Sequence, residues 1–198
     1  MKFSVARTEL SEALAITSRG LSARSTLPIL SGVLVSCEKD SVTLQSTDLE
    51  ISVQTKVSVR VEEEGRSVLP GRLFSEIVRN MPEAAITVVL ERDLAVISSA
   101  TASFTLKTLP ADDFPKFPTV SVEKRVPLPS SVMSSVVKQV SRAVSRDETR
   151  AILTGVLLSV DGPTVRMVAT DSYRLAVREA ELEGAAEHVE VVVPGKAL

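Results

Sequence analysis

The chain has 198 residues, 44% hydrophobic and 24% charged, with a formal net charge of −2. Such a composition excludes collagen-like, low-complexity and disordered classes and supplies enough apolar material for packed cores. Bulk charge does not announce a nucleic-acid binder, so any such surface must be a local concentration of Lys and Arg.

In chain order, residues 2–6 are a predicted strand. A helix follows from an N-cap at Thr8 to Arg19, with Leu10, Ala13, Leu14 and Thr17 on one stripe. Strands at 30–37 and 41–46 come next. The single Cys37 lies in an apolar run and has no partner for an internal disulfide, which fits a buried core thiol in a reducing compartment. From Leu49 to Val61, Ile51, Val53, Thr55, Val57 and Val59 occupy every second position, the pattern of one long strand with a wet face and a dry face. Glu62-Glu63-Glu64 before Gly65 reads as a solvated hairpin turn.

Strand 66–69 leads to a helix from Gly71 to Met81, with Phe74, Ile77, Val78 and Met81 inward and Pro82 preventing continuation. Strands 85–90, 94–99 and 103–109 precede a proline-punctuated linker at 110–118. Strand 122–128 and a helix over 130–144 follow. Val132, Val136, Val137 and Val140 share one side of that helix, and so Val-rich a helix needs a sheet to hold it.

The chain repeats itself. Residues 29–36 read Ile-Leu-Ser-Gly-Val-Leu-Val-Ser and residues 152–159 read Ile-Leu-Thr-Gly-Val-Leu-Leu-Ser, at an offset of 152 − 29 = 123. Ser18-Arg19 and Ser141-Arg142 match at that offset, as do Thr47-Asp48 and Thr170-Asp171. Pro70-Gly71-Arg72 and Pro194-Gly195-Lys196 match one residue later. A period so long means a duplicated domain rather than a solenoid unit. The expectation is a first domain over 1–120 and a second over 121–198 that lacks the counterpart of Ser75 to about Glu123. Each complete repeat is a mostly antiparallel sheet backing two helices, an α+β fold.

Arg72 and Arg79 share a face of the second helix, and Lys138 and Arg142 form an i,i+4 pair joined by Ser134, Ser141 and Ser145. Cations among small hydroxyls suit phosphate contacts without sequence readout, although a merely solvated face has the same composition. His188, the one histidine, sits in a charged, loop-like stretch with no nucleophile elbow. Neither a Cys/His metal spacing nor a Gly-rich phosphate loop occurs, so no catalytic residue, metal or cofactor is expected. The repeated Thr-Asp pair suits a turn-tying role. Around its second copy, Ser172-Tyr173-Arg174-Leu175 has no sequence counterpart in the first, and Tyr and Arg are residue types that anchor partners. No run of 18 apolar residues and no signal-peptide stretch is present, so a cytoplasmic protein without a membrane contact is expected.

Four segments together carry a family resemblance: Met1-Lys2-Phe3; Thr26-Leu27-Pro28-Ile29-Leu30 with Thr47-Asp48-Leu49-Glu50; Thr108-Leu109-Pro110-Ala111-Asp112-Asp113-Phe114-Pro115; and Val168 to Val177, read Val-Ala-Thr-Asp-Ser-Tyr-Arg-Leu-Ala-Val. The chain resembles the bacterial DNA polymerase III beta-subunit family, the sliding clamps, over its N-terminal and central domains. The resemblance implies a DNA clamp fold, with a third domain that these residues do not include. It implies a head-to-tail homodimer forming a six-domain ring on double-stranded DNA, with helices lining the hole. DNA contacts would come from Arg24, Arg72, Arg79, Lys138, Arg142 and Lys196. A pocket for partner peptides would use Arg150, Leu153, Thr170, Ser172, Tyr173, Arg174 and Leu175. Many members have Gly-His where this chain has Ser172-Tyr173. Implied partners are the polymerase III catalytic subunit, the clamp loader and other proteins bearing clamp-binding motifs. A competing reading is a peptide-binding module without a DNA role; another is a hydrolase using His188.

Overall fold

A computed structural model describes residues 1–22, 27–82, 84–117, 121 and 125–198, with Ala185 described by its backbone alone. The chain divides into two compact units, Met1–Thr119 and Val120–Leu198.

In the first unit the order is β1 (Lys2–Ala6), α1 (Arg7–Thr17), β2 (Gly32–Glu38), β3 (Ser41–Thr47), β4 (Ser52–Ser58), β5 (Arg60–Glu63), β6 (Gly65–Pro70), α2 (Gly71–Asn80), β7 (Ala85–Glu91), β8 (Leu94–Ser99) and β9 (Ala102–Lys107). Among the described residues the strands form two antiparallel sheets, β5-β1-β7-β8-β9 and β4-β3-β2-β6. Both helices bury one stripe in the core between them. Leu10, Ala13 and Leu14 of α1 and Phe74 and Val78 of α2 join Phe3, Val33, Val35, Leu44, Ile86 and Ile97 in a single cluster. The predicted inward stripes are therefore the observed ones.

Some expectations are corrected. Thr8 is not an N-cap; α1 begins at Arg7 and is capped by Ala6 without a side-chain bond, because it follows directly from β1. The long strand 49–61 is two strands. Leu49 sits in a turn at φ +77°, so pairing begins at Ser52. At Val59, whose N–H donates to the Asp40 carbonyl, the chain leaves β3 and continues as β5 beside β1. Alternation persists across the switch because Val57, Val59 and Val61 all pack against the same core. Periodicity reports which face is dry, not which strand is the neighbour.

The acid run is not simply solvated. Lys2 Nζ lies 2.8 Å from Glu62 Oε2, and the Lys39 backbone N–H donates to Glu64 Oε1 at 2.9 Å. The bond from Lys2 holds the Glu62 carboxyl below its usual range. The linker also belongs partly to the first unit, since Phe114 is buried with Leu34 and Val68. Cys37 is a fully buried core thiol, and desolvation pushes its pKa up.

In the second unit α3 (Ser130–Val140) packs Val136 and Val140 against Val156, Met167 and Ala169. Its α-helical part ends at Val140 after 11 residues, short of the expected 144; Ser141–Ala143 form a tighter 3-10 turn. Predicted strand 122–128 falls partly outside the described residues, and 125–128 carry no strand. β10 (Gly155–Thr170) and β11 (Leu175–Pro194) make an antiparallel pair. His188 is therefore on a strand, not in a loop.

The duplication extends to register. Gly32 pairs with Pro70 and Gly155 with Pro194; Thr47 pairs with Ser52 and Thr170 with Leu175. It also explains the glycine of the repeated octet. A Cβ on Gly32 would stand 2.3 Å from Val68 Cγ1, and one on Gly155 2.3 Å from Val192 Cγ1. Gly32→Ala is expected to destabilise by about 1–3 kcal/mol through overpacking. Adding Val68→Ala should recover part of the loss, because the two changes share one contact. Urea midpoints of the two single variants and the double test this; strictly additive effects would mean that the collision is not the cause.

Candidate functional site

Arg72 and Arg79 are exposed on α2, opposite the buried Phe74 and Val78. Lys138 and Arg142 are exposed too, but Arg142 lies in the 3-10 turn, so the two do not keep strict α-helical spacing. Among the described residues none of these four cations is in an ion pair. Lys196 is exposed in the turn Gly195–Ala197. Arg24 lies outside the described residues. Ser134 and Ser141 are exposed, whereas Ser145 is buried. Its Oγ accepts the Asp147 backbone N–H, and its own N–H donates to the Leu153 carbonyl, so it braces a loop rather than joining the cationic face.

The two Thr-Asp pairs build the same turn. Thr47 Oγ1 donates to the Ile51 carbonyl and accepts the Leu49 N–H, while Asp48 Oδ1 accepts the Glu50 and Ile51 N–H groups. Thr170 Oγ1 donates to the Arg174 carbonyl and accepts the Ser172 N–H. Asp171 Oδ1 accepts from Tyr173 and Arg174. Each turn places its third residue at positive φ, +77° for Leu49 and +78° for Ser172. The two turns thus differ in side chains and not in hydrogen-bonded backbone. Backbone N–H donation from Tyr173, followed by that from Arg174, holds the Asp171 carboxyl below its usual range.

This second turn displays Tyr173 at 95% exposure, with Arg174 and Leu175 also exposed. It borders a cleft of about 510 Å³ lined by Arg142, Arg146, Asp147, Arg150, Tyr173 and Arg174, among others. Arg150 Nε donates to Asp147 Oδ2 at 2.8 Å and Arg150 Nη1 donates to Ser172 Oγ at 2.9 Å. Arg174 Nε donates to Asp171 Oδ2 at 2.9 Å. Bonds from Thr149 and Arg150 lower the Asp147 pKa. Of the pocket residues expected from sequence, Arg150, Tyr173 and Arg174 line this cleft. Thr170 and Ser172 shape its turn, and Leu153 is half-buried behind the loop. Arg146 and Asp147 were not among the expected site residues. The i,i+3 spacing of Asp147 and Arg150 was the available signal.

What the arrangement offers is hydrogen-bond donors and cations rather than reactive groups. Among the described residues no group of His, Cys, Asp and Glu could hold a metal, and His188 has no hydrogen bond to a serine or aspartate. No helix is long and apolar enough to cross a membrane, among the same residues.

Residues 1–118 match the DNA polymerase III beta subunit, N-terminal domain, and residues 127–198 match the central domain of that subunit. The chain belongs to the DNA polymerase III beta-subunit family. It is 37% identical over 179 residues to the beta sliding clamp of Streptomyces coelicolor, covering 90% of this chain and 47% of that one. Against the beta sliding clamp of Bacillus subtilis the identity is 35% over 208 residues, covering 100% and 55%. Among solved structures, the Bacillus subtilis DNA polymerase sliding clamp superimposes with a TM-score of 0.92 at 34% identity, over 100% of this chain and 55% of that one. A DNA polymerase III subunit beta from Pseudomonas aeruginosa, solved bound to griselimycin, gives 0.90 at 31%, over 99% and 54%. The chain therefore has the clamp fold and spans about half the length of the curated relatives it matches.

Proposed function

We propose that this protein is a sliding clamp, the processivity subunit of the bacterial replicative polymerase. It closes as a head-to-tail dimeric ring around duplex DNA and performs no chemistry of its own in the cytoplasm. Residues 1–120 supply the first domain, and 121–198 supply part of the second. Two consecutive beta-subunit domains in one chain carry this reading. The cations on α2, α3 and the adjoining turn, with Arg24 and Lys196, make exchangeable phosphate contacts that carry no base readout. The cleft beside Tyr173 receives short peptides of the polymerase catalytic subunit, the clamp loader and other partners.

A topological tether makes a distinctive prediction. Once loaded on nicked circular DNA, the protein at its full encoded length should stay through gel filtration in high salt and leave when the circle is cut. Equal retention on circular and linear DNA would mean ordinary binding and sink the ring.

A further inference from the structure

Ser172 combines two features that its counterpart in the first repeat does not. Both turns impose positive φ at their third residue, and neither copy uses glycine there. In the first copy that residue is Leu49, and the counterpart of Arg150, 150 − 123 = 27, is Leu27. Both leucines are at least half exposed, at 64% and 50%. In the second copy the same two positions hold a serine and an arginine joined across the rim of the cleft at 2.9 Å. Two apolar side chains in the first copy correspond to a bonded donor and acceptor in the second, beside turns of the same φ.

We propose that Ser172 is a positioning and specificity-determining residue of the peptide cleft. Its hydroxyl latches Arg150 so that the remaining guanidinium N–H groups meet acceptor oxygens of a bound peptide. The proposal rests on the reading of this cleft as the partner-peptide site. Arginine donates through a planar fork. Asp147 takes the Nε–H and Ser172 one Nη1–H, which fixes the plane and leaves the other Nη hydrogens unused by either. Two anchors on different segments, the loop at 147 and the turn at 172, hold that plane, where Asp147 alone would leave the guanidinium end free to swing. A preorganised donor loses less freedom when a ligand binds. The ligand chemistry that fits is a peptide carbonyl or side-chain carboxylate directed at the fork.

The test uses the protein at its full encoded length, with griselimycin as the probe because a relative binds it. Ser172→Ala removes the hydroxyl and leaves a residue no better suited to positive φ. Ser172→Gly removes it and relaxes the backbone. Ser172→Asn restores an acceptor on a residue that tolerates that φ. In the wild type, nitrogen-15 spectra should show the Arg150 guanidinium as rotationally hindered; Ala and Gly should abolish the hindrance and Asn should recover it. Griselimycin affinity should fall about tenfold for Ala and Gly and return most of the way for Asn. Hindrance that survives in Ser172→Ala overturns the latch. Hindrance lost with affinity unchanged overturns the specificity role. A wild type that does not bind the probe overturns the cleft reading instead, a result separable from the spectra.

Discussion

Phe74→Ala is expected to remove a large part of the stability of the first unit. The ring is wholly buried on α2 in the cluster that both sheets and both helices share. Truncating such a residue costs about 3–5 kcal/mol in lost transfer energy and residual cavity. Since a domain is stable by only about 5–15 kcal/mol, the change should lower the unfolding midpoint of that unit strongly. The neighbouring Leu73 is the control. It is 52% exposed on the same helix, and Leu73→Ala should shift stability by less than about 1 kcal/mol. Urea unfolding followed by amide exchange reads both. Loss of protection in α1 and β2 for Phe74→Ala, with α3 amides protected as before, is the expected pattern. Equal midpoints for the two variants would show that α2 does not depend on its buried face.

Replacing Arg72, Arg79, Lys138 and Arg142 together with serine should leave the fold intact and strip much of the sequence-independent affinity for duplex DNA. All four are exposed. Surface changes of this kind usually alter stability by about 0.5 kcal/mol or less each. If each cation contacts one phosphate, each loss removes roughly 0.9 from the slope of log affinity against log salt, or roughly 3–4 altogether. At about 0.1 M salt the expected loss is on the order of a hundredfold or more. Fluorescence anisotropy with a short duplex across a salt series measures both quantities. A slope unchanged by the substitutions would remove these residues from the DNA surface, and the peptide-module reading would then gain ground. Arg24→Ser added to the set should lower the slope further.

Much of the fold is legible in the chain because burial has a period. Leu10, Ala13, Leu14 and Thr17 recur at helical spacing and are all buried; strand 94–99 was predicted with its observed bounds. The repeat was legible as well, down to the Thr-Asp turns, because a side chain that ties its own backbone leaves a local signature. Partner choice was less so. Where Leu49 to Val61 switches sheets, the alternation does not break, since hydrogen-bond partners lie elsewhere in sequence. The acid run pairs with Lys2 and the Lys39 backbone, far earlier in the chain, and composition alone reads it as solvated.

The candidate site divides the same way. Exposed cations on α2 follow from helix periodicity once its buried face is known. The Ser172 contact was not foreseen, because an arginine at position 150 can reach many acceptors and only the folded turn selects one. The sequence by itself determined the family, the duplication, the dry faces and the turn chemistry, all set by local spacing and residue type. Tertiary structure alone decided which strands are neighbours, which glycine faces which valine, and that Arg150 and Ser172 meet. Those are contacts between segments far apart in the chain, and their energies depend on distances that only folding sets.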